Sequence, residues 1–248
     1  MSSWSEALAP ERRRGVELLD DPQIDAAVRE RSIIDVTRSN RWLGGLRAAS
    51  AALRDALRDA MRSVLDETAG ARRALTLLDV GTGLADIPQS ARAVARALGI
   101  ELFTVGVDEA SSLLVAARSA IDAGVCADAL ALPFADGAVD VVICSQLLHH
   151  FVDADAARLV NELNRVARRA VVVSDLRRSW VAAAGFWLVS FPLRFHPVTR
   201  HDGTVSVMRG FTASELQRIV RAGAGVEPVV RRRLGYRLTA RWTPRRAA

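Results

Sequence analysis

The segment Ala74 to Val80, ALTLLDV, is mostly apolar and does not alternate. Such a run suits a strand covered on both faces, as in a parallel sheet. Similar runs recur at Ile100–Val107, Gly124–Ala127, Val139–Ser145 and Ala170–Ser174. Between them, helix-like spacing of apolar positions covers Ala91–Leu98, Ala110–Ile121 and Ala154–Arg169. Strands alternating with helices predict an α/β fold with a doubly wound, mostly parallel sheet.

The flanks follow other periods. Residues 14–69 read as helical, with Leu46, Leu53, Leu57, Met61, Val64 and Leu65 at helix spacing. Asp21-Pro22 suits a helix start, Gly44-Gly45 a break and Gly70 an end. A boundary near Gly70 divides the chain into an N-terminal helical lid, 1–70, and a nucleotide-binding unit, 71–248. Downstream, Trp180–Phe191 reads as a helix. Thr212 with Glu215 has capping-box spacing for a helix to Arg221. Val226–Val230 and Leu234–Arg241 pair as a hairpin, which adds an antiparallel C-terminal strand. The polar stretch RHDGTVSVMRGF reads as a loop, with His201-Asp202 in either a functional loop or a surface turn at Asp202-Gly203. His196 also reads as loop.

Composition narrows the function classes. The chain has 248 residues, a quarter of them charged, and a formal charge of +6. That is globular, not disordered. The positive balance invites a nucleic-acid reading, but every basic residue is arginine and none cluster in one patch. Charge of this kind speaks to solubility and non-specific association, so nucleic acid is not the expected partner. Cys126 and Cys144 each sit in an apolar run and read as buried, inert thiols. No Cys/His set has metal spacing, so no metal site is expected. The N-terminus lacks a signal-peptide core. The longest apolar run, Trp180–Phe195, falls short of the ~20 residues that span a bilayer. These features predict a cytoplasmic protein without a transmembrane segment.

The chemistry concentrates in Asp79-Val80-Gly81-Thr82-Gly83-Leu84-Ala85-Asp86, a strand end, a glycine turn and a helix start. Glycines let the backbone bend sharply and approach a ligand. A dinucleotide fingerprint would put a third glycine where Asp86 stands, and that carboxylate would repel a pyrophosphate. A phosphate loop needs a lysine, which the chain lacks. Acids on both sides of the turn suit a ligand with a positive centre and an ammonium group.

Here the sequence resembles the class I S-adenosylmethionine (SAM)-dependent methyltransferases. DVGTGLAD matches their first motif, with Ala85 at the third small position. VGVDEASSLL, CADALALPFADGAVDVV and CSQLLHHF follow in the family's order, so the resemblance covers residues 75–175. It implies a Rossmann-like sheet with SAM as cofactor. It assigns Asp79, Gly81 and Gly83 to the methyl donor, Asp108 to the ribose hydroxyls, and Asp128 with the Ala129 amide to the adenine edge. Thr82, Asp86, Glu109 and Ser145, from the same bends, complete the cofactor-binding set. As alternatives from the residues alone, Asp79 caps the turn, Asp86 charges a helix start, Asp108 caps the next helix and Asp128 is a turn residue.

Cys144-Ser145-Gln146-Leu147 stands where methyltransferases of exocyclic amines carry an N/D-P-P-Y/F tetrad, which argues against that chemistry. LLHHF looks like the branch containing quinone-biosynthesis methyltransferases. ELLDDP and RHDGTVSVMRGFT look like bacterial methyltransferases of type III polyketide pathways. The resemblance implies secondary metabolism and a small phenolic or quinone-like acceptor, methylated on oxygen or carbon. His150, ahead of His149, is the candidate base; the alternative is that both pack near SAM. Trp180, Phe186, Trp187, Phe191 and Phe195 are either a core helix or one wall of an apolar acceptor pocket. A homodimer is compatible with the sequence. A SAM-binding protein that does not methylate and an RNA methyltransferase are the rival readings.

Overall fold

A computed structural model describes residues 9–12, 15–21, 23–67 and 74–245. Its helices are α1 (Ala26–Trp42), α2 (Gly45–Glu67), α3 (Asp86–Ala97), α4 (Ser111–Ala117), α5 (Asp153–Val166), α6 (Trp180–Ser190), α7 (Pro197–Arg209) and α8 (Ala213–Ala224). Its strands are β1 (Leu75–Val80), β2 (Leu102–Asp108), β3 (Ala123–Cys126), β4 (Val139–Ser145), β5 (Ala167–Leu176), β6 (Val229–Arg233) and β7 (Arg237–Trp242). One sheet holds all seven strands in the order β3-β2-β1-β4-β5-β7-β6. Strands β1 to β5 are parallel, and β7 runs antiparallel between β5 and β6. This is a Rossmann-like doubly wound sheet with an antiparallel C-terminal strand.

The unalternated apolar runs have the expected cause. Leu75 and Leu77 join Val141, Ile143 and Val172 in one core. Leu78 and Val80 join Val142, Cys144 and Val173 in the other. Successive residues point to opposite faces, and helices cover both. On the first face α2 supplies Leu53, Leu57 and Val64, with Ala52, Ala56 and Ala60 keeping it close to the sheet. On the second, Leu159 and Leu163 of α5 meet Leu216 and Val220 of α8.

Several expectations need correction. Residues 197–209 form a helix, α7, capped by the His196 side chain, which accepts from the Val198 amide, and begun by Pro197. Asp202 is not at a surface turn: it is buried, 3% exposed. Cys126 is exposed because β3 is an edge strand, whereas Cys144 in central β4 is buried. Helix α4 stops at Ala117, four residues short. Strand β5 starts at Ala167, because Arg169 pairs with Asp140 (Nε to Oδ1, 3.1 Å) and Glu67 (Nη2 to Oε2, 2.6 Å) at the sheet end. The polarity of Arg168 and Arg169 masked that start. Helix α3 begins at Asp86 and takes Pro88 into its first turn, where no intrahelical amide is needed. Pro22 and Gly70 lie outside the described residues. The Gly44 break, the Thr212–Glu215 capping box and the terminal hairpin form as expected.

Candidate functional site

In an open parallel sheet, ligands gather at the carboxyl ends of the strands where the strand order reverses. Here that point lies between β1 and β4. Above it opens a cavity of about 860 Å³. Gly81, Thr82, Gly83, Asp86, Ser145, His149 and His150 all border it. Sequence positions up to 69 residues apart thus meet because β1 and β4 are neighbours.

The glycine bend is shaped by backbone geometry. Gly81 and Gly83 have φ of +75° and +53°, and Ala85 is also left-handed at +61°. Asp79 is the last residue but one of β1 and is 1% exposed. Its Oδ2 accepts a hydrogen bond from the Thr82 hydroxyl at 2.8 Å, while its buried Oδ1 has no partner. Burial pushes its pKa up to about 7, the Thr82 hydrogen bond opposes this, and the charges of Asp108 and Asp86 add to it. A buried acid with an unused oxygen and two acidic neighbours favours a cationic ligand. The bend therefore fits a sulfonium amino acid.

Asp108, at the end of β2, accepts from the Gly83 amide at 2.9 Å and the Ala110 amide at 3.0 Å. It ties the first bend to the second. Glu109, Asp128 and Ala129 follow β2 and β3 and do not border the cavity. Asp128 is exposed and accepts from the Leu130 amide at 2.8 Å.

The histidines differ sharply. His149 is 4% exposed. Its Nδ1 lies 2.7 Å from Oδ1 of Asp175, and its backbone amide donates to Oδ2 at 3.1 Å. Its Nε2 is buried without a partner. Asp175, at the end of β5, is fully buried; burial raises its pKa, but the His149 charge and hydrogen bond hold it below the usual carboxylate range. His150 has about 33% of its side chain exposed and stands 3.8 Å from Glu17 and 3.5 Å from Arg209. Partial burial, then His149 and Arg209, press its pKa below the usual imidazole range, against the pull of Asp175.

Glu17, His149 and His150 bring ligand atoms within 4.8 Å of one another, a three-donor set no sequence spacing revealed. The Arg209 guanidinium, 3.0 Å from Glu17, places a fixed positive charge at the same spot. Asp202 holds the segment bearing Glu17: its carboxylate accepts from the Leu18 and Leu19 amides at 2.8 and 2.9 Å. The Nδ1 of His201 lies 2.8 Å from the same carboxylate.

Val181, Phe186 and Val189 of α6 and Val36 of α1 give the cavity its apolar wall. Trp180 and Trp187 of α6, and Phe191 just after it, are about half exposed, at 53%, 47% and 46%. That helix is thus no plain core helix. Asp175 and Arg237 escaped the sequence reading. The signal for Asp175 was an acid at the carboxyl end of an apolar strand, VVVSDL.

Residues 78–173 match the family model described as a methyltransferase domain. Among solved structures, this chain is similar to the plantazolicin methyltransferase BpumL in complex with SAH (S-adenosylhomocysteine), at 13% identity, 93% and 95% coverage of the two chains and a TM-score of 0.60. It is similar to the magnesium protoporphyrin IX methyltransferase of Synechocystis PCC 6803, solved with SAH, at 14% identity, 91% and 90% coverage and a TM-score of 0.52. A possible histamine N-methyltransferase of Thermotoga maritima matches at 15% identity, 87% and 99% coverage and a TM-score of 0.51. At these identities the likeness is one of fold. Comparison with curated proteins finds no significant match. Among the described residues no helix is long and apolar enough to cross a membrane.

Proposed function

We propose that this methyltransferase-domain chain methylates a small, largely apolar phenolic or quinone-like acceptor held in the 860 Å³ cavity, with His149 as general base. The observation that carries the reading is the buried, unpartnered Nε2 of His149. A carboxylate behind Nδ1 keeps the proton on Nδ1 and leaves the Nε2 lone pair free. Asp175 is in that position. The geometry favours His149 over His150, whose ring has no such support and is more exposed.

The methyl donor, when bound, supplies an electrophilic methyl group on sulfur. Asp79, Gly81, Thr82, Gly83 and Asp86 are the residues we assign to its amino-acid end. Asp108 with Glu109, and Asp128 with the Ala129 amide, are assigned to its ribose and adenine, and Ser145 to the boundary with the acceptor. His149 Nε2 takes the proton of an acceptor hydroxyl, or of an acidic carbon, as that atom becomes the nucleophile. Asp175 stabilises the resulting imidazolium. The segment from Glu17 to Leu43 acts as the lid, and α6 as the opposite wall. Together they exclude water and hold the acceptor near attack distance.

The test is transfer of a labelled methyl group to a panel of naphthols and dihydroxynaphthalenes by wild type and by His149→Ala. Product from wild type and loss of at least about 10²-fold in the variant support the reading. SAH binding without transfer to any of the panel would point to the non-methylating alternative.

A further inference from the structure

Arg237 is the first residue of β7 and is 4% exposed. Its Nη1 donates to Oε1 of Gln146 at 2.7 Å, and its Nε is buried without a partner. Among the described residues it forms no ion pair. The nearby Asp175 favours its charge, but that carboxylate already accepts from the His149 ring and amide and the Leu176 amide. Burial lowers the Arg237 pKa to about 10. A buried cation with a spare N–H and no direct ion pair is costly unless a ligand completes it.

The same spot holds a second positive end. Helix α2 begins at Gly45, runs for 23 residues and has no acidic residue in its first turn. Its leading amides lack intrahelical partners, and its macrodipole is positive there. A Cβ on Gly45 would lie 3.4 Å from the Arg237 guanidinium carbon, so the guanidinium packs directly against that turn. Gly44, Gln146 and Arg237 all border the cavity. Two positive groups held together at the wall of a ligand cavity, with no protein anion between them, describe an anion receptor.

We propose that Arg237 and the first turn of α2 receive a carboxylate carried by the methyl acceptor, making the substrate an acidic hydroxyaromatic compound. The inference rests on reading this cavity as the acceptor site. The carboxylate of the methyl donor is the other source of the same chemistry. Strand order favours the acceptor: β7 lies three strands from β1, about 14 Å across the sheet at ~4.8 Å per strand. The glycine bend belongs to β1, whereas Asp175 on β5 pairs in register with Leu238, next to Arg237. The receptor thus adjoins the His149–Asp175 pair. A planar guanidinium suits a carboxylate, which it can hold through two parallel hydrogen bonds.

The test uses calorimetry on the full chain saturated with SAH. The probes are 3-hydroxy-2-naphthoate and 6-hydroxy-2-naphthoate, each compared with its neutral carboxamide. At least one acid should bind wild type tenfold or more tighter than its amide. That preference should vanish in Arg237→Gln, while SAH affinity stays within twofold. Equal binding of acids and amides by wild type overturns the proposal without any variant. A tenfold loss of SAH affinity in Arg237→Gln, with 5′-methylthioadenosine binding unaltered, also overturns it and assigns the receptor to the methyl donor. Neither result touches methyl transfer to neutral naphthols, which tests the broader reading separately.

Discussion

The Nδ1 of His149 lies 2.7 Å from Oδ1 of Asp175, and both side chains are buried at the carboxyl edge of the sheet. The two residues come from different elements, a 3-10 turn at Leu148–His150 and the carboxyl end of β5. Their contact fixes the orientation of the imidazole and directs its other nitrogen away from the carboxylate.

Asp175→Asn removes the charge behind the ring and keeps its size. The expected outcome is a kcat reduced about 10²-fold or more, with SAH affinity unchanged. Single-turnover methyl transfer and calorimetry measure the two quantities. His150→Ala should retain kcat within about tenfold. A larger loss in that variant than in His149→Ala would reverse the assignment.

On the proposed assignment of Asp79 to the methyl donor, donor binding depends on pH. Its pKa is raised from 3.8 to about 7 in the folded protein. Such a group stabilises the fold below its unfolded pKa, and that contribution is lost as pH rises from about 4 through 7. The ammonium group that SAM and SAH share prefers the ionised form. SAH affinity should therefore rise between pH 6 and 8, with an inflection near 7 and proton release seen as a dependence on buffer ionisation heat. Asp79→Asn should raise the apo Tm at pH 8 by about 4 °C, lose more than tenfold in SAH affinity and flatten the pH profile.

Gly81 has φ of +75°, and a Cβ there would meet Leu147 Cδ2 at 2.9 Å. Gly81→Ala strains the backbone by roughly 1 kcal/mol and displaces Leu147, which sits beside the histidine pair in sequence. A lower Tm and at least tenfold weaker SAH binding are expected. Unchanged values for both would show that the bend tolerates a side chain.

Arg178 is 5% exposed and forms a two-point pair with Glu215, at 2.9 and 2.8 Å, while also donating to the Pro10 and Gly210 carbonyls at 2.6 Å. Removing one partner strands a partly buried charge. Arg178→Ala should destabilise the chain by about 3 kcal/mol, read as a shift in the urea midpoint. Because Arg178 also fastens the segment at Pro10, the acceptor KM should rise through loss of the lid's anchor.

The order of elements was legible from residue pattern alone. Unalternated runs such as Val139–Ser145 belong to strands buried on both faces, and hydrophobic burial is decided locally by that demand. The capping box at Thr212, the Gly44 break and the bend at Gly81–Gly83 were legible too, since short-range geometry restricts which residues fit. Helix α7 was not, because its apolar positions are sparse and its polar residues, Asp202 and Ser206 among them, are turned inward to hold Leu18, Leu19 and Glu17. Periodicity reads apolar burial only. The chemistry of the acceptor side also lay beyond the sequence. Only the packing of strands and helices sets Asp175 beside His149 and brings Arg237 against Gly45, residues separated by 26 and 192 positions. A buried charge acquires its meaning from what surrounds it in space, and chain order carries no record of that.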